Sequence, residues 1–244
     1  MQAARTVPTA VAGGRTRSHP ALLRPCDTAG ATATLASPPD VPLTPDVPLT
    51  EVAFAVVDVE TTGGSPATDA LTEIAAAVVV GGRCVEVFDR LVQPTSPIPT
   101  FITALTGISS ATVAGAPAVG AVLPDLHRLL RGRVLVGHNL PFDVGFLDGA
   151  LLSAGMAPLD QPQVDTLVLA RRLLGPRMPN CRLATLADAL ALLHRPSHRA
   201  LADVLATADL LQHLILRLQA IGIRRLPELL AFVAEQPAGA ATSP

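Results

Sequence analysis

The residues that could do chemistry in this chain are carboxylates and a histidine set at the ends of apolar runs. The first pair stands in Val52-Ala53-Phe54-Ala55-Val56-Val57-Asp58-Val59-Glu60-Thr61-Thr62-Gly63, a β-branched run that delivers Asp58 and Glu60 and then stops at Gly63-Gly64. Strand side chains alternate faces, so Asp58 and Glu60 point the same way at the strand's end. Two like charges repel, and a buried strand end solvates them poorly. No Lys or Arg lies between Phe54 and Arg83 to neutralise them. A metal ion is therefore the favoured counter-charge, against the blander reading of two solvated loop carboxylates.

Further acids sit at comparable places. Asp143 closes His138-Asn139-Leu140-Pro141-Phe142-Asp143, and Asp203 closes His198-Arg199-Ala200-Leu201-Ala202-Asp203. Each falls in the first turn of an expected helix, where an acid by itself only complements the helix dipole. Taken alone, His198 reads as a surface residue or cap.

The elements that must carry these residues follow from periodicity. After the first strand, Leu71–Val80 and Cys84–Val92 read as two strands joined by the hairpin signal Gly81-Gly82. Glu73 and Glu86 are expected on solvated faces. A short helix around Phe101–Leu105 stops at Gly107, and apolar spacing predicts a helix over Val119–Leu130. Val134–Val136 is a short buried strand, and a helix follows from Leu140. Gln163–Val164 is another strand, after which Asp165 is placed to cap a helix over Thr166–Leu174. Helices are expected over Leu183–Leu193, Ala200–Leu218 and Pro227–Glu235. A meander of strands, then strands alternating with helices, gives an α/β fold with helices against a mixed sheet. Asp165 and Asp209 read as structural, and His127 and His213 as helix-surface residues.

Residues 1–50 are rich in Pro, Ala and Thr and contain the tandem hexamer Pro39–Thr44 and Pro45–Thr50. That density of proline predicts an extended leader. The expected division is a leader over 1–50, a folded domain over 51–219, and a short helix with a disordered tail over 220–244.

Three acidic stations in this order, the last preceded by a histidine, resemble the DnaQ-like, or DEDDh, family of 3′–5′ exonucleases. The family's Asp-x-Glu-Thr motif is met by Asp58, Glu60 and Thr61. Its second motif is met by His138, Asn139, Phe142 and Asp143, and its third, His-x-x-x-x-Asp, by His198 and Asp203. Pro97-Ile98-Pro99 and Thr106-Gly107-Ile108 look like a loop of the same family, and the resemblance runs from Val52 to Leu218. It implies a ribonuclease H-like fold with a mixed five-stranded sheet flanked by helices. It also implies that Asp58, Glu60, Asp143 and Asp203 hold two divalent ions, Mg²⁺ or Mn²⁺, and that His198 is the general base. Oxygen-only donors suit a hard cation of this kind. Thr61 and Asn139 are implied substrate contacts, and Phe142 either wedges at the terminal bases or packs in the core.

The implied activity is metal-dependent hydrolysis of phosphodiester bonds at a nucleic-acid 3′ end. The closest-looking role is that of an epsilon-type proofreading subunit of a DNA polymerase, with a stand-alone DNA repair enzyme beside it. RNA or oligoribonucleotide trimming uses the same residues, and a silent exonuclease-fold adaptor is the alternative of another class. The implied partners are a single-stranded 3′ end and, for the polymerase role, a polymerase subunit.

Composition sets the outer bounds. A net charge of −2 gives no broad basic field, so any nucleic-acid contact must be local. Every one of the 18 basic residues is Arg, and six of them (Arg171, Arg172, Arg177, Arg182, Arg195, Arg199) stand in 171–199 against the single acid Asp188. That bias is expected to line a strand's approach to the site. Apolar runs are too short for a membrane span, and no membrane partner is expected. Cys26, Cys84 and Cys181 form neither a disulfide framework nor a zinc pattern, from which a reducing cytoplasm is the simple inference.

Overall fold

The computed structural model describes residues 46–235. Strands β1 (Phe54–Thr61), β2 (Leu71–Val80) and β3 (Arg83–Leu91) form an antiparallel meander, turned between β2 and β3 by Gly81 and Gly82 at φ 56° and 73°. β4 (Val134–Gly137) lies parallel to β1, and β5 (Gln163–Asp165) lies parallel to β4, giving the order β3-β2-β1-β4-β5. This is the expected mixed five-stranded sheet, with β1 at its centre.

Helices cover both faces. On one lie α2 (Val119–Leu130) and α3 (Leu140–Ser153), burying Ala55, Val57 and Val59 of β1. On the other lie α4 (Thr166–Leu173), α5 (Leu183–Ala189), α6 (Ala200–Ala220) and α7 (Leu226–Ala234), burying Phe54 and Val56. β1 thus carries alternate apolar residues into two cores, and its next residues on the α6 side are Asp58 and Glu60. The short helix α1 (Thr100–Thr106) ends at Gly107, whose left-handed φ of 73° closes it.

Several expectations are corrected. Glu73 is not solvated: it is 1% exposed, inside β2. The helix expected to reach Leu193 stops at Ala189, because Leu192 turns into the core and the His194 N–H and Nδ1 both bond Asp209. That pairing gives Asp209 the structural role expected of it.

The packed body also includes residues outside 51–219. Val47 and Leu49 are buried, as are Leu226 and Leu229 of α7, all in the α6-side core. Backbone bonds from Leu226 N–H to the Val47 carbonyl (3.1 Å) and from Leu49 N–H to the Arg224 carbonyl (2.9 Å) join the two segments. The remainder of the expected leader and tail lies outside the described residues. Cys181 is a buried free thiol. Cys84 is disulfide-bonded, against the expectation drawn from spacing, and Cys26 lies outside the described residues. Among the described residues, no helix is long and apolar enough to cross a membrane.

Candidate active site

The site forms where β1 outruns its neighbour. Pairing of β1 with β4 ends at Val56↔Val136, so the Val59 N–H beyond it donates instead to Asp143 Oδ1 at 3.0 Å. Asp143 is buried in the first turn of α3. The chain enters that helix through Asn139, whose φ is 73° and whose N–H donates to Asp165 Oδ1 at 3.0 Å. The same Asp165 oxygen accepts the Leu167 N–H at 2.8 Å, capping α4 as expected. Gly137 makes the tight exit from β4 possible, since a Cβ there would meet Leu140 Cδ1 at 2.8 Å.

Asp203 arrives from the other face, in the first turn of α6, with Oδ1 accepting the Ser197 N–H at 2.8 Å. One carboxylate oxygen from each of Asp58, Glu60 and Asp203 lies within 4.8 Å of the others. Asp143, His198, Asn139 and Phe142 join them in lining one cavity of about 180 Å³. The five residues expected to do the chemistry therefore share a single pocket.

Electrostatics of the pocket are those of an acidic cluster short of positive charge. Burial, followed by repulsion from Asp143, Asp203 and Glu60, raises Asp58 well above the carboxylate range. Burial and then the charges of Asp203 and Glu73 push Glu60 up to about 7. Burial pushes Asp143 up to about 8, although the Val59 N–H pulls the other way. Asp203 is raised by burial and held down in part by the Ser197 N–H and the neighbouring His198. Convergent oxygens, no thiolate, and carboxylates that resist ionising side by side fit a hard divalent cation.

The remaining expected site residues are placed as follows. His198 is exposed at the cavity's rim with φ 56°. Phe142 lines the cavity and also packs its ring against Phe146, with centroids 5.1 Å apart. Thr61 is buried outside the cavity lining, and its hydroxyl donates to the Gly63 carbonyl. His138, a motif member with no assigned role, is a fastener: Nε2 donates to the Cys181 carbonyl at 2.9 Å and Nδ1 meets the Thr166 hydroxyl at 3.0 Å.

That fastening forms one wall of a second cavity of about 810 Å³, which shares His138, Asn139, His198 and Asp203 with the first. Arg171, Asn180 and Arg182 line it. Of the other arginines of 171–199, three are engaged elsewhere. Arg172 bonds Glu235 and covers the Phe232 ring at 3.9 Å, Arg195 pairs with Asp188, and Arg199 pairs with Glu73.

Residues 55–211 match the family model described as Exonuclease. The chain belongs to the exonuclease family. This exonuclease chain is 43% identical over 196 residues to a protein of Mycobacterium tuberculosis (strain CDC 1551 / Oshkosh) whose name describes a bifunctional exonuclease/endonuclease, covering 77% of the chain and 30% of that relative. It is 38% identical to the DNA polymerase III PolC-type of Caldanaerobacter subterraneus subsp. tengcongensis, over 76% of the chain and 13% of the relative. To the 3′–5′ exonuclease DinG of Bacillus subtilis it is 36% identical, over 72% of the chain and 19% of the relative. The exonuclease chain thus spans less than a third of these relatives' lengths. Among solved structures, it resembles Exonuclease X in complex with 5′ overhanging duplex DNA. The TM-score is 0.59 at 26% identity, covering 75% of this chain and 99% of that one. The ribonuclease H-like architecture agrees with that likeness.

Proposed function

We propose that this exonuclease is a divalent-metal-dependent 3′–5′ enzyme that removes nucleoside 5′-monophosphates from a nucleic-acid 3′ end, with DNA as the substrate. The observation that carries the reading is the meeting of Asp58, Glu60 and Asp203 oxygens within 4.8 Å, in a cavity also lined by Asp143 and His198. In this reading Asp58, Glu60, Asp143 and Asp203 hold two ions, Mg²⁺ in the cell and Mn²⁺ as a substitute. When bound, such ions polarise the attacking water and neutralise charge on the phosphate and the leaving oxygen.

The chain's own groups do the rest. His198, exposed at the rim, takes the proton of the attacking water and returns it to solvent, a role typically worth about 10²–10⁴-fold. The water oxygen bonds phosphorus, the bond from phosphorus to the 3′ oxygen breaks, that oxygen takes up a proton from solvent, and the shortened strand leaves with a 3′-hydroxyl. Phe142 and Asn139 face the terminal nucleotide from the cavity wall. With its hydroxyl spent on Gly63, Thr61 contacts that nucleotide through its main chain. Arg171, Asn180 and Arg182 take the upstream phosphates along the larger cavity, where Arg forks suit phosphate oxygens. A DNA polymerase is the proposed partner, supported by the PolC-type relative.

The test is hydrolysis of 5′-labelled single-stranded DNA and RNA oligomers by purified protein, with Mg²⁺ or with chelator. The expected result is Mg²⁺-dependent shortening from the 3′ end, faster on DNA, and lost in Asp58→Ala. Absence of hydrolysis by the unmodified protein would refute the catalytic reading in favour of an adaptor, and faster cutting of RNA would overturn the substrate.

A further inference from the structure

Glu73 is a buried carboxylate that the proposed chemistry leaves unused. It sits on β2 directly across from Glu60 in the sheet register, so both project to the α6 side. Its oxygens are already spent. Oε1 accepts Arg199 Nη2 at 2.6 Å and Nε at 3.2 Å, while Oε2 accepts Arg199 Nε at 3.1 Å and the Ala200 N–H at 2.9 Å. A carboxylate so engaged is not among the oxygens that converge in the Asp58, Glu60 and Asp203 cluster.

Both residues that Glu73 holds follow His198 directly. His198 itself stands at φ 56°, a left-handed conformation that a non-glycine residue adopts at a cost and keeps only when its surroundings impose it. The surroundings here come from two sides. Before His198, the Ser197 N–H is held by Asp203 Oδ1 at 2.8 Å. After it, Arg199 and Ala200 are held by Glu73 from β2. Freed of the second clamp, the turn can relax to negative φ and swing the imidazole off the cavity rim.

We infer that Glu73 is a positioning residue which, through Arg199 and the Ala200 N–H, fixes His198 against the reaction site. The inference rests on His198 acting as the base. Glu73→Gln preserves shape and one acceptor but gives up the charge-assisted pair. Arg199→Met breaks the same clamp from its half-exposed end.

Both variants and both combinations with His198→Ala are assayed for kcat and KM, with Mn²⁺ affinity and melting temperature measured beside them. Displacing a catalytic group by about an ångström costs on the order of 10²-fold, so each single variant is expected to lower kcat by about 10- to 100-fold. KM should hold within about twofold, since substrate contacts are untouched, and kcat is compared at saturating Mn²⁺ because both variants change the charge beside Glu60. In the His198→Ala background the same changes should cost less than about twofold, because the residue they position is gone. An equal loss in that background would overturn the inference, as would wild-type kcat in both single variants. Wild-type activity of His198→Ala alone would remove the base and the positioning role together, whereas an inactive His198→Ala beside fully active clamp variants would remove only the clamp.

Discussion

The carboxylate cluster makes a quantitative demand on metal binding. Glu60 stands at about 7 and Asp143 at about 8, and both must be ionised to serve as ligands. At pH 6 nearly all of both are protonated in the metal-free protein, so binding must expel about two protons from this pair alone. At pH 8 Glu60 is already ionised and Asp143 half so, and the release from this pair falls to about half a proton. Between these pH values the affinity for a divalent ion should strengthen by about 10²–10³-fold. Isothermal titration of Mn²⁺ into chelator-treated protein, in two buffers of different ionisation enthalpy, reads both quantities. Asp143→Asn should weaken binding and remove the larger share of the pH dependence. Affinity that changes by less than about tenfold from pH 6 to 8, with no buffer-dependent heat, would refute the reasoning, because the acids would then be ionised before any cation arrives.

The same shifts set how the metal-free fold responds to pH. Both groups are raised above their unfolded values, so their contribution to stability is full at low pH and is lost as pH rises through about 7 to 8. Melting temperature in chelator should therefore fall from pH 5 to 8, and Mn²⁺ should reverse the fall; a flat profile would contradict it. Arg171→Ala and Arg182→Ala should each raise KM at nearly constant kcat and lower the salt dependence of binding by a slope of about 0.7–0.9, read from KM across a salt series. An unchanged slope would take both residues off the strand's path. Leu229, fully buried on α7, should cost about 2–5 kcal/mol when changed to Ala, measured by urea unfolding, with kcat preserved below the transition. A loss under about 0.5 kcal/mol would mean that α7 is only loosely attached.

Much of the fold was legible because the apolar patterns are consistent with one another. The continuous apolar runs of β1 and β2 suit strands covered on both faces, the i, i+3, i+4 spacing in α6 specifies one helix face, and Gly81-Gly82 and Gly107 mark where the chain must turn. The misreadings came where a distant partner decides. Leu183–Leu193 looks helical throughout, yet Asp209, fifteen residues on from His194, captures that residue and ends the helix early. Val47 and Leu49 sit in a proline-rich repeat whose local composition says nothing of α7, against which they pack.

At the site, the carboxylates and His198 were legible because chemistry fixes both their types and their order. Glu73 was missed, although a signal was present. It is a lone charge inside the apolar run Leu71–Val80, and a charge in a strand buried on both faces requires a cation. Arg199 was misassigned for the complementary reason: residues 171–199 are crowded with arginine, and composition cannot say which one turns inward. Thr61 illustrates a limit of motif reading, since a short hydroxyl is readily satisfied by its own loop, here by Gly63.

The most direct check is an anomalous difference map from crystals soaked in Mn²⁺. The expected result is two peaks about 3.5–4 Å apart, bounded by the carboxylates of Asp58, Glu60, Asp143 and Asp203. A map with no peak within bonding distance of Asp58 and Glu60 would contradict a shared metal site and the hydrolysis built on it.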